Sequence, residues 1–574
     1  MRFFDEYKKD IDNHEIISFD IFDTLLFRPY LSFTDLYNYI EKVYNVKNFS
    51  KIRRKAEKQA RKLLSTNNIE DISITDIYNN IPNNLKYLKE IELNLEKHQT
   101  ILNKEMFDVY NYAIEQNKKV IIISDMYLDK TFLVNLLKSK GIDKFEELYV
   151  SSDIKKLKST GNLFKYVLAQ NNFVANKVLH IGDNLKSDVQ MAKQNKIDAI
   201  HYERVLDKFI NFYPSINNIL KKYKNNLAMS IFIMLNAIYW NNNNSYWKNF
   251  GYLYTAFSCL NYAYWIKKNV IKQGIDNIIF IARDGYLLEK IYNKLFNKEQ
   301  LKTYYVYAPR LINLCITLDL KNKGKYSEEH NRAVINYYKT KSDIINSISQ
   351  KELDNSKYMV LEKYINELEK LKNSEVSNYT KYLSNFNISG KNIGIVDSVS
   401  KFFSAQKMIS SILKDKKFYG FYYQIQKKAN LKGINVKSYK PIQKYSKDCR
   451  LIEFTMSAPT PSIISIKNNE PLFKDLSEKE QVRINKFKDI EEGCLSFIDD
   501  IKKYFGENFP YELLTDKDVT FVLLNLVKNP TQRDKDNFKD VLFAYDTSHN
   551  NYRELFPKWY KKKFNILNFL KILK

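Results

Sequence analysis

Four short motifs carry the residues of this chain that are best suited to chemistry. In chain order they supply a carboxylate, a hydroxyl group, an ammonium group and an acidic pair, from Asp20, Ser124, Lys158, Asp183 and Asp188. Three of the four motifs follow apolar runs of the kind that form buried parallel strands. Because open α/β sheets place their chemistry at the carboxyl ends of the strands, we expect these side chains at one edge of a sheet.

This set suits phosphoryl transfer on an aspartate. Asp20 would attack phosphorus and form an aspartyl-phosphate, Ser124 would donate a hydrogen bond to a phosphoryl oxygen, and Lys158 would offset charge on the transferring group. Asp20 and Asp183 would hold Mg²⁺, a hard cation that takes oxygen ligands. The alternative, a doubly wound domain whose strand ends are polar by chance, is disfavoured because four matches occur in a fixed order.

The order and the residue types resemble the haloacid dehalogenase-like (HAD) superfamily over roughly residues 14–205. The resemblance implies an α/β fold, a Rossmannoid parallel sheet, with Asp20 as the nucleophile and Ser124 and Lys158 as phosphate contacts. The metal ligands that it implies are Asp20, the backbone carbonyl of Phe22, and Asp183, with Asp188 as a further acidic residue of the metal site.

Phe22 departs from the pattern of phosphatases in this superfamily, which carry Asp two residues after the nucleophile as a general acid. Asp23 stands one residue too late, and in an extended backbone its side chain would point elsewhere. General acid catalysis contributes about two to four orders of magnitude in rate. The chain is therefore a slow phosphatase, an enzyme for a good leaving group, or one that takes its acid from the cap or the substrate. Carbon–halogen chemistry, as in related dehalogenases, ranks lower.

Three strings narrow the resemblance, at residues 18–29, 124–128 and 158–164. They look like a bacterial HAD subgroup encoded among capsule and surface-polysaccharide genes, in which the position of Phe22 is ordinarily aromatic too. The resemblance implies a phosphorylated sugar or small polar intermediate of glycan assembly as substrate, and glycosyltransferases as candidate partners. Candidate substrate-binding residues beside the motifs are Thr24, Arg28 and Asn184.

The segment between the first two motifs, residues 29–117, has helical patterns and corresponds to the helical cap of the superfamily, inserted after the first motif. A lid of this kind excludes water and selects the leaving group. Its charged amphipathic helix contains Arg53, Arg54 and Arg61. We expect a solvated face for these three residues; the alternative is that one of them reaches an anionic substrate.

After about residue 205 a second alternation of strands and helices begins, which predicts a second α/β domain with a largely parallel sheet. It also resembles the extra C-terminal region attached to the polysaccharide-gene subgroup. Two of its strand ends could face one crevice, with Arg283, Asp284, Asp397 and Ser398 as candidate site residues. The alternative is that Arg283 and Asp284 pair locally in a structural turn. Residues 453–462 are expected to be a surface loop rather than a border of this crevice.

The predicted organisation has four parts. They are a HAD-like domain over 1–215 with its cap at about 29–117, a linking helix and loop over 216–250, a second α/β domain of unknown activity over 251–556, and a basic amphipathic helix over 557–574. This last helix has one narrow polar face, so it either lies on an anionic bilayer or packs on the second domain.

Composition bounds the remaining possibilities. With 574 residues, 44% hydrophobic and 14% aromatic, the chain should form two or three well-packed domains. The net charge of +26 is spread along the whole sequence without a nucleic-acid-binding motif, so an anionic membrane surface or substrate is favoured over nucleic acid. Four distant cysteines and no apolar core of signal-peptide length near the start indicate a cytoplasmic protein, with peripheral contact to the inner membrane as an option.

Three functions remain open at this point. The first is a Mg²⁺-dependent phosphohydrolase or phosphotransferase. The second is a non-catalytic protein that binds a phosphorylated ligand and docks the glycan assembly machinery. The third is a transferase whose main chemistry lies in the C-terminal domain.

Overall fold

The chain divides into two compact units in a computed structural model: residues 1–245 with 499–514, and residues 246–498 with 515–574. The structure describes residues 4–62, 69–297, 301–317, 328–349, 351–352, 363–444, 447–544 and 552–556. The division reports packing and not separate folding, so the domain boundaries drawn from the sequence stay predictions. The C-terminal helix predicted over 557–574 lies outside the described residues.

A five-stranded parallel sheet forms the centre of the first unit. Its strands, in spatial order, are β5 (Glu147–Val150), β4 (Lys119–Ser124), β1 (Ile16–Phe19), β6 (Val178–Gly182) and β7 (Asp198–His201). β1, β4 and β6 are almost wholly buried, as expected for strands covered on both faces. Because Phe19 lies opposite both Ile122 and Ile181, the chain leaves these three strands at one edge. The predicted α/β fold with a parallel sheet is confirmed.

Helices and one short strand pair surround this sheet. The strands β2 (Leu26–Phe27) and β3 (Ile101–Leu102) pair antiparallel. The helices are α1 (Phe4–Asp12), α2 (Thr34–Val43), α3 (Phe49–Lys62), α4 (Ile74–Asn79), α5 (Leu88–Gln99), α6 (Lys104–Glu115), α7 (Lys130–Ser139), α8 (Ser151–Ile154), α9 (Asn162–Asn171), α10 (Met191–Gln194), α11 (Val205–Phe212), α12 (Ile216–Lys222) and α13 (Leu227–Asn241). Helices α2 to α6 fall within the predicted cap segment, and α4 begins with a capping box between Ser73 and Asp76.

Arg53 does not lie on a solvated face of the cap, contrary to the expectation from its charged neighbours. Its side chain is completely buried and donates two hydrogen bonds of 2.9 Å to Glu92, which is equally buried. Tyr78 and Tyr127 also donate hydrogen bonds to this carboxylate. The guanidinium therefore fastens α3 to α5. Arg54 and Arg61 are exposed, as expected, and Arg61 also pairs with Glu57 and Asp71.

A second parallel sheet forms the centre of the second unit. Its strands, in spatial order, are β12 (Val436–Gln443), β11 (Lys417–Gln426), β10 (Asn392–Ser400), β8 (Asn277–Ile281) and β9 (Lys302–Val306). Numbered along the chain and read from β9, this order is 2-1-3-4-5. Two antiparallel pairs accompany the sheet, β13 (Ile463–Lys467) with β14 (Glu470–Phe473) and β15 (Leu542–Ala544) with β16 (Tyr552–Glu554).

The remaining helices follow residue 245 in the chain. They are α14 (Tyr246–Phe250), α15 (Ala256–Gln273), α16 (Tyr286–Leu295), α17 (Arg310–Thr317), α18 (Glu328–Lys339), α19 (Asp343–Asn346), α20 (Ile365–Ser384), α21 (Ser404–Ile412), α22 (Lys447–Met456), α23 (Glu478–Tyr504), α24 (Asp516–Lys528) and α25 (Gln532–Asn537). Within the described ranges, no helix combines the length and the apolar character that a membrane crossing requires.

Candidate active site

The loop after β1 fixes the position of Asp20. Its backbone N–H donates to the carbonyl of Ile181 in β6, which extends the strand pairing by one residue. The chain then turns sharply, because Asp23 adopts a left-handed conformation with φ 57° and the N–H of Leu26 bonds back to Ile21. The backbone at Asp23 is therefore left-handed and not extended, so the expected direction of its side chain does not apply. Burial raises the pKa of the Asp23 carboxyl, against the charges of Arg204 and Arg28.

Lys158 lies between two carboxylates of the site. Its Nζ is 2.6 Å from Oδ1 of Asp20 and 2.5 Å from Oδ1 of Asp188, and all three side chains are nearly buried. Asp125, next to Ser124, accepts a 2.7 Å hydrogen bond from the Lys158 backbone N–H. Burial alone would lower the pKa of Lys158, but Asp188, Asp20 and Asp125 together raise it. The ammonium group is thus charged. Lys158 is held at its side-chain nitrogen by Asp20 and Asp188 and at its backbone N–H by Asp125.

A π-helical turn, Leu185–Gln190, carries Asp188 back towards the strand end. Asn184 begins the turn: its side-chain oxygen accepts from the N–H groups of Lys186 and Ser187, and its own N–H donates to Oδ2 of Asp188. Gly182 makes this approach possible, because a Cβ there would lie 2.5 Å from Cγ of Asp188. Asn184, a candidate substrate contact, therefore has a structural role in this loop.

His180 contacts Asp188 from the buried strand β6. Its Nδ1 is 2.8 Å from the Ser18 hydroxyl and its Nε2 is 3.4 Å from Oδ1 of Asp188, and both Ser18 and His180 are completely buried. Burial lowers the pKa of the imidazole. A neutral ring with its proton on Nε2 fits both contacts. Sequence reasoning missed His180 and Asp125; their positions inside two of the motifs were the available signal.

Asp20, Asp183 and Asp188 come together as an acidic group in which one carboxylate oxygen of each residue lies within 4.8 Å of the other two. Burial raises the pKa of Asp183 to about 8, and the nearby Asp20, Asp23 and Asp188 add to the shift. Burial also raises the pKa of Asp20 to about 7, although Lys158 acts in the other direction. Three carboxylates thus face one ammonium group, and oxygen ligands with surplus negative charge suit a hard divalent cation.

Phe22 and Arg28 form a stacked pair beside the nucleophile loop. The guanidinium carbon of Arg28 lies 3.7 Å from the centre of the Phe22 ring, and Nε donates to both carboxylate oxygens of Glu96 in α5. Within the described residues, the two terminal nitrogens of Arg28 make no hydrogen bond and are not sealed from solvent. These donors remain open for an anion.

The remaining predicted residues of the first unit lie in the same region. Ser124 ends β4, opposite Val150, and its side chain is 2% exposed. Thr24 is completely buried, and its hydroxyl has no hydrogen-bond partner within the described part of the chain. The strand ends therefore bring Asp20, Ser124 and Asp183 to one edge of the sheet, with Lys158 and Asp188 directly bonded to each other there.

In the second unit, Arg283 and Asp284 follow β8, and Asp397 and Ser398 lie near the end of β10. The Ser398 hydroxyl donates to Oδ2 of Asp284, so the two neighbouring strand ends are in contact. Arg283 donates to Ser462 and Glu480 rather than to Asp284.

Comparison with known proteins finds a family match within the first unit. Residues 19–202 match the family model of haloacid dehalogenase-like hydrolases. This match spans all four motifs and supports a HAD-like hydrolase domain in this part of the chain. No curated protein matches the chain.

Among solved structures, the chain is similar to a HAD phosphatase from Thermococcus onnurineus, with 19% identity over 33% of this chain and 86% of that chain and a TM-score of 0.27. It is similar to a predicted phosphoglycolate phosphatase from Haemophilus somnus 129pt, with 14% identity over 33% and 85% of the chains and a TM-score of 0.24. It is also similar to the magnesium-bound HAD-hydrolase YfnB from Bacillus subtilis, with 15% identity over 33% and 87% and a TM-score of 0.25.

Proposed function

We propose that the chain is a Mg²⁺-dependent phosphohydrolase or phosphotransferase with Asp20 as its nucleophile. The observation that supports this most is the buried arrangement of Asp20, Lys158 and Asp188, with Asp183 completing an acidic group within 4.8 Å. A buried ammonium group between carboxylates would attract and hold a phosphoryl group, and a nucleophile with a nearby cation is the arrangement that covalent phosphoryl transfer requires.

The residues present fit a magnesium ion. Asp20, Asp183 and Asp188 offer carboxylate oxygens, and the backbone carbonyl of Phe22 would add a fourth oxygen ligand. When bound, Mg²⁺ would neutralise the surplus negative charge and help to orient the transferring phosphoryl group. Neutralisation would also favour the ionised form of Asp20, which is the form that attacks.

The chain's own residues carry the rest of the reaction. A carboxylate oxygen of Asp20 would form a bond to phosphorus while the bond from phosphorus to the leaving oxygen breaks. Lys158 and the Ser124 hydroxyl would donate hydrogen bonds to the phosphoryl oxygens. Water would then attack phosphorus in the aspartyl-phosphate, which releases phosphate and restores Asp20; an acceptor hydroxyl in place of water would give phosphotransfer.

Phe22 cannot protonate a leaving oxygen, which limits the substrates that suit this site. Arg28 stacks on the Phe22 ring with open terminal donors. A leaving group that departs as a stable anion would need no general acid, and the guanidinium could hold it. We therefore expect good leaving groups to react faster than simple alkyl phosphates.

The biological setting rests on the sequence resemblance alone. A phosphorylated sugar or small polar intermediate of surface-polysaccharide assembly is the proposed substrate, and glycosyltransferases are proposed partners. The basic segment 557–574 is the proposed peripheral membrane contact. Sedimentation of the full chain and of a chain ending at residue 556 with anionic vesicles tests this contact, and equal binding of both would contradict it.

Metal dependence tests the proposed chemistry. Excess chelator should abolish hydrolysis of p-nitrophenyl phosphate, and added Mg²⁺ should restore it. Asp183→Ala should raise the Mg²⁺ concentration needed for half-maximal turnover. Asp143→Ala should not, because Asp143 is exposed and lies before β5, at the opposite edge of the sheet. Turnover that persists undiminished in excess chelator would contradict the proposal and favour metal-independent chemistry.

A further inference from the structure

The carboxyl edge of the sheet in the second unit is a second place where a ligand would be expected. In an open parallel sheet, ligands bind outside the carboxyl ends of the strands, where the strand order reverses direction. The order 2-1-3-4-5 reverses between β8 and β10. In the first unit the order along the chain is 3-2-1-4-5, its reversal falls between β1 and β6, and Asp20 and Asp183 lie there. The same rule therefore points to the loops after β8 and β10.

Hydrogen bonds connect the loop after β8 with the end of β10, and together they form one polar surface, called the wall below. Asp284, after β8, accepts from the hydroxyl of Ser398 in β10 and, at 2.7 Å, from the hydroxyl of Ser457. The segment after α22 closes the other side, because the N–H of Ala458 donates to the Arg283 carbonyl and Arg483 donates to the carbonyls of residues 457, 458 and 460. Residues 453–456 belong to α22, and the loop over 457–462 packs against the strand end after β8, so the expectation of an ordinary surface loop was wrong.

Asp397 in this wall has a carboxylate that is only partly paired. It is half-buried, one of its oxygens accepts only the N–H of Ser398, and the other has no hydrogen-bond partner among the described residues. Within the same residues, no cation lies within ion-pair distance of Asp397 or Asp284. Burial and the charge of Asp284 raise the pKa of Asp397 to about 7. A half-buried carboxylate without a cation is costly for stability, and such groups concentrate at binding sites.

Positive charge also lies near Asp397 at this edge of the sheet. Arg310 is the first residue of α17, is exposed, and makes no hydrogen bond or ion pair in the described structure, yet its charge acts on Asp397. The helices that follow β8, β9 and β10 also begin at this edge, and helix N-termini favour anions. This edge of the sheet therefore offers Asp397 as an open hydrogen-bond acceptor, and Arg310 with the helix N-termini as groups that favour an anion.

We propose that the carboxyl edge of the sheet at β8 and β10 is a second ligand site, separate from the aspartate-nucleophile site, and that it binds a small phosphorylated compound with free hydroxyl groups. Asp397 accepts hydrogen bonds from the hydroxyls, and Arg310 with the helix N-termini receives the phosphate. Sugar phosphates and nucleotides both have this chemistry, and the measurement below separates them.

Hydrogen exchange detected by mass spectrometry on the full chain tests the site, with glucose 1-phosphate, uridine diphosphate and inorganic phosphate as probes. At least one hydroxylated probe should slow exchange in residues 282–287 and 396–404, and inorganic phosphate should do so far less. Protection by glucose 1-phosphate alone identifies a sugar phosphate, and protection by uridine diphosphate alone identifies a nucleotide. Asp20→Asn, in the first unit, should leave this protection unchanged.

Two substitutions and one control complete the test. Asp397→Asn and Arg310→Gln should each raise the probe concentration for half-maximal protection at least ten-fold. Asp415→Asn is the matched control, because Asp415 is exposed and lies before β11, at the opposite edge of the sheet. Arg310 is exposed, so its substitution keeps the test valid if Asp397→Asn fails to fold. Absence of protection by every hydroxylated probe, equal protection by inorganic phosphate, or protection that survives both substitutions would overturn the proposal.

Discussion

Phe22 and Arg28 show how one residue changes what its neighbours can do. The sequence suggests that an Asp at position 22 would supply the missing general acid. The structure places the Arg28 guanidinium 3.7 Å from the Phe22 ring, and a carboxylate introduced there would pair with it. A cation at that distance lowers the pKa of a carboxyl group, so the new side chain would be ionised and unable to give a proton.

We therefore expect Phe22→Asp alone to leave hydrolysis of alkyl phosphates nearly unchanged. Phe22→Asp with Arg28→Gln should raise it by about ten-fold or more, since general acid catalysis is typically worth about two to four orders of magnitude. Turnover of glycerol phosphate and of p-nitrophenyl phosphate measures the difference, because the aryl leaving group needs little protonation. A gain from Phe22→Asp alone would contradict the pairing with Arg28.

His180 is a positioning residue for Asp188. Its contacts with Ser18 and Asp188 fix the orientation of a carboxylate that also bonds to Lys158. Loss of such outer contacts typically costs roughly 10- to 100-fold in metal affinity. His180→Phe should therefore weaken Mg²⁺ activation by that factor, and His180→Gln, which keeps a hydrogen-bond donor, should recover part of it. Mg²⁺ titration of turnover measures both variants; an unchanged Mg²⁺ requirement in His180→Phe would exclude this role.

At the scale of elements, α5 connects the cap segment with both catalytic loops. Glu92 bonds to Arg53 and Tyr127, and Glu96, one turn later, bonds to Arg28. Tyr127 follows the Ser124 motif and Arg28 follows the Asp20 motif. Residues four apart share one face of a helix, so one face of α5 holds both loops.

Arg53→Met should destabilise the protein by about 3–5 kcal/mol, because it leaves the Glu92 carboxylate buried without its cation. Arg53→Met with Glu92→Gln should cost less than Arg53→Met alone, since the buried charge is then gone. Arg54→Met, on the exposed face of the same helix, should change stability by about 0.5 kcal/mol or less. Urea unfolding of the three variants measures these differences. Equal effects of the Arg53 and Arg54 substitutions would contradict the buried pair.

The strand ends could be predicted from sequence because apolar runs and the polar residues that follow them are local signals. Asp20, Ser124, Asp183 and the second parallel sheet were accessible in this way. Arg53 was not, since its helix carries many charges and its partner Glu92 is 39 residues away. His180 was hidden inside an apolar strand, where it looks like a core residue. The roles of Arg53 and His180 depend on partners far away in the sequence, and local periodicity carries no information about such partners.

At the scale of the whole molecule, the first unit is not a continuous stretch of chain. Residues 499–514 belong to it, and the Phe505 ring lies 6.1 Å from Tyr30 and 5.5 Å from Tyr39. The carbonyl of Tyr504 accepts from Gln99, and that of Leu513 accepts from Asn226. The polypeptide therefore returns to its first unit after residues 246–498, which make up most of the second unit.

A fragment ending at residue 245 should consequently be less stable than the same fragment joined through a short flexible linker to residues 499–514. The loss of buried aromatic contacts is worth about 3–5 kcal/mol for one large side chain. Thermal unfolding of the two fragments measures the difference, and a fragment over 1–245 that matches the fused one would contradict the contribution of this segment. The matched control carries Phe505→Ala in the fused fragment and should behave as the shorter one.

Chemical trapping at Asp20 tests the central claim most directly. Full-length protein is mixed with Mg²⁺ and p-nitrophenyl phosphate, quenched during turnover and reduced with borohydride, which converts an aspartyl-phosphate into homoserine. Peptide mass spectrometry should then find homoserine at position 20 in the natural protein and none in Asp20→Asn, whose turnover should fall to background. Continued turnover by Asp20→Asn, or homoserine at a different aspartate, would contradict the account.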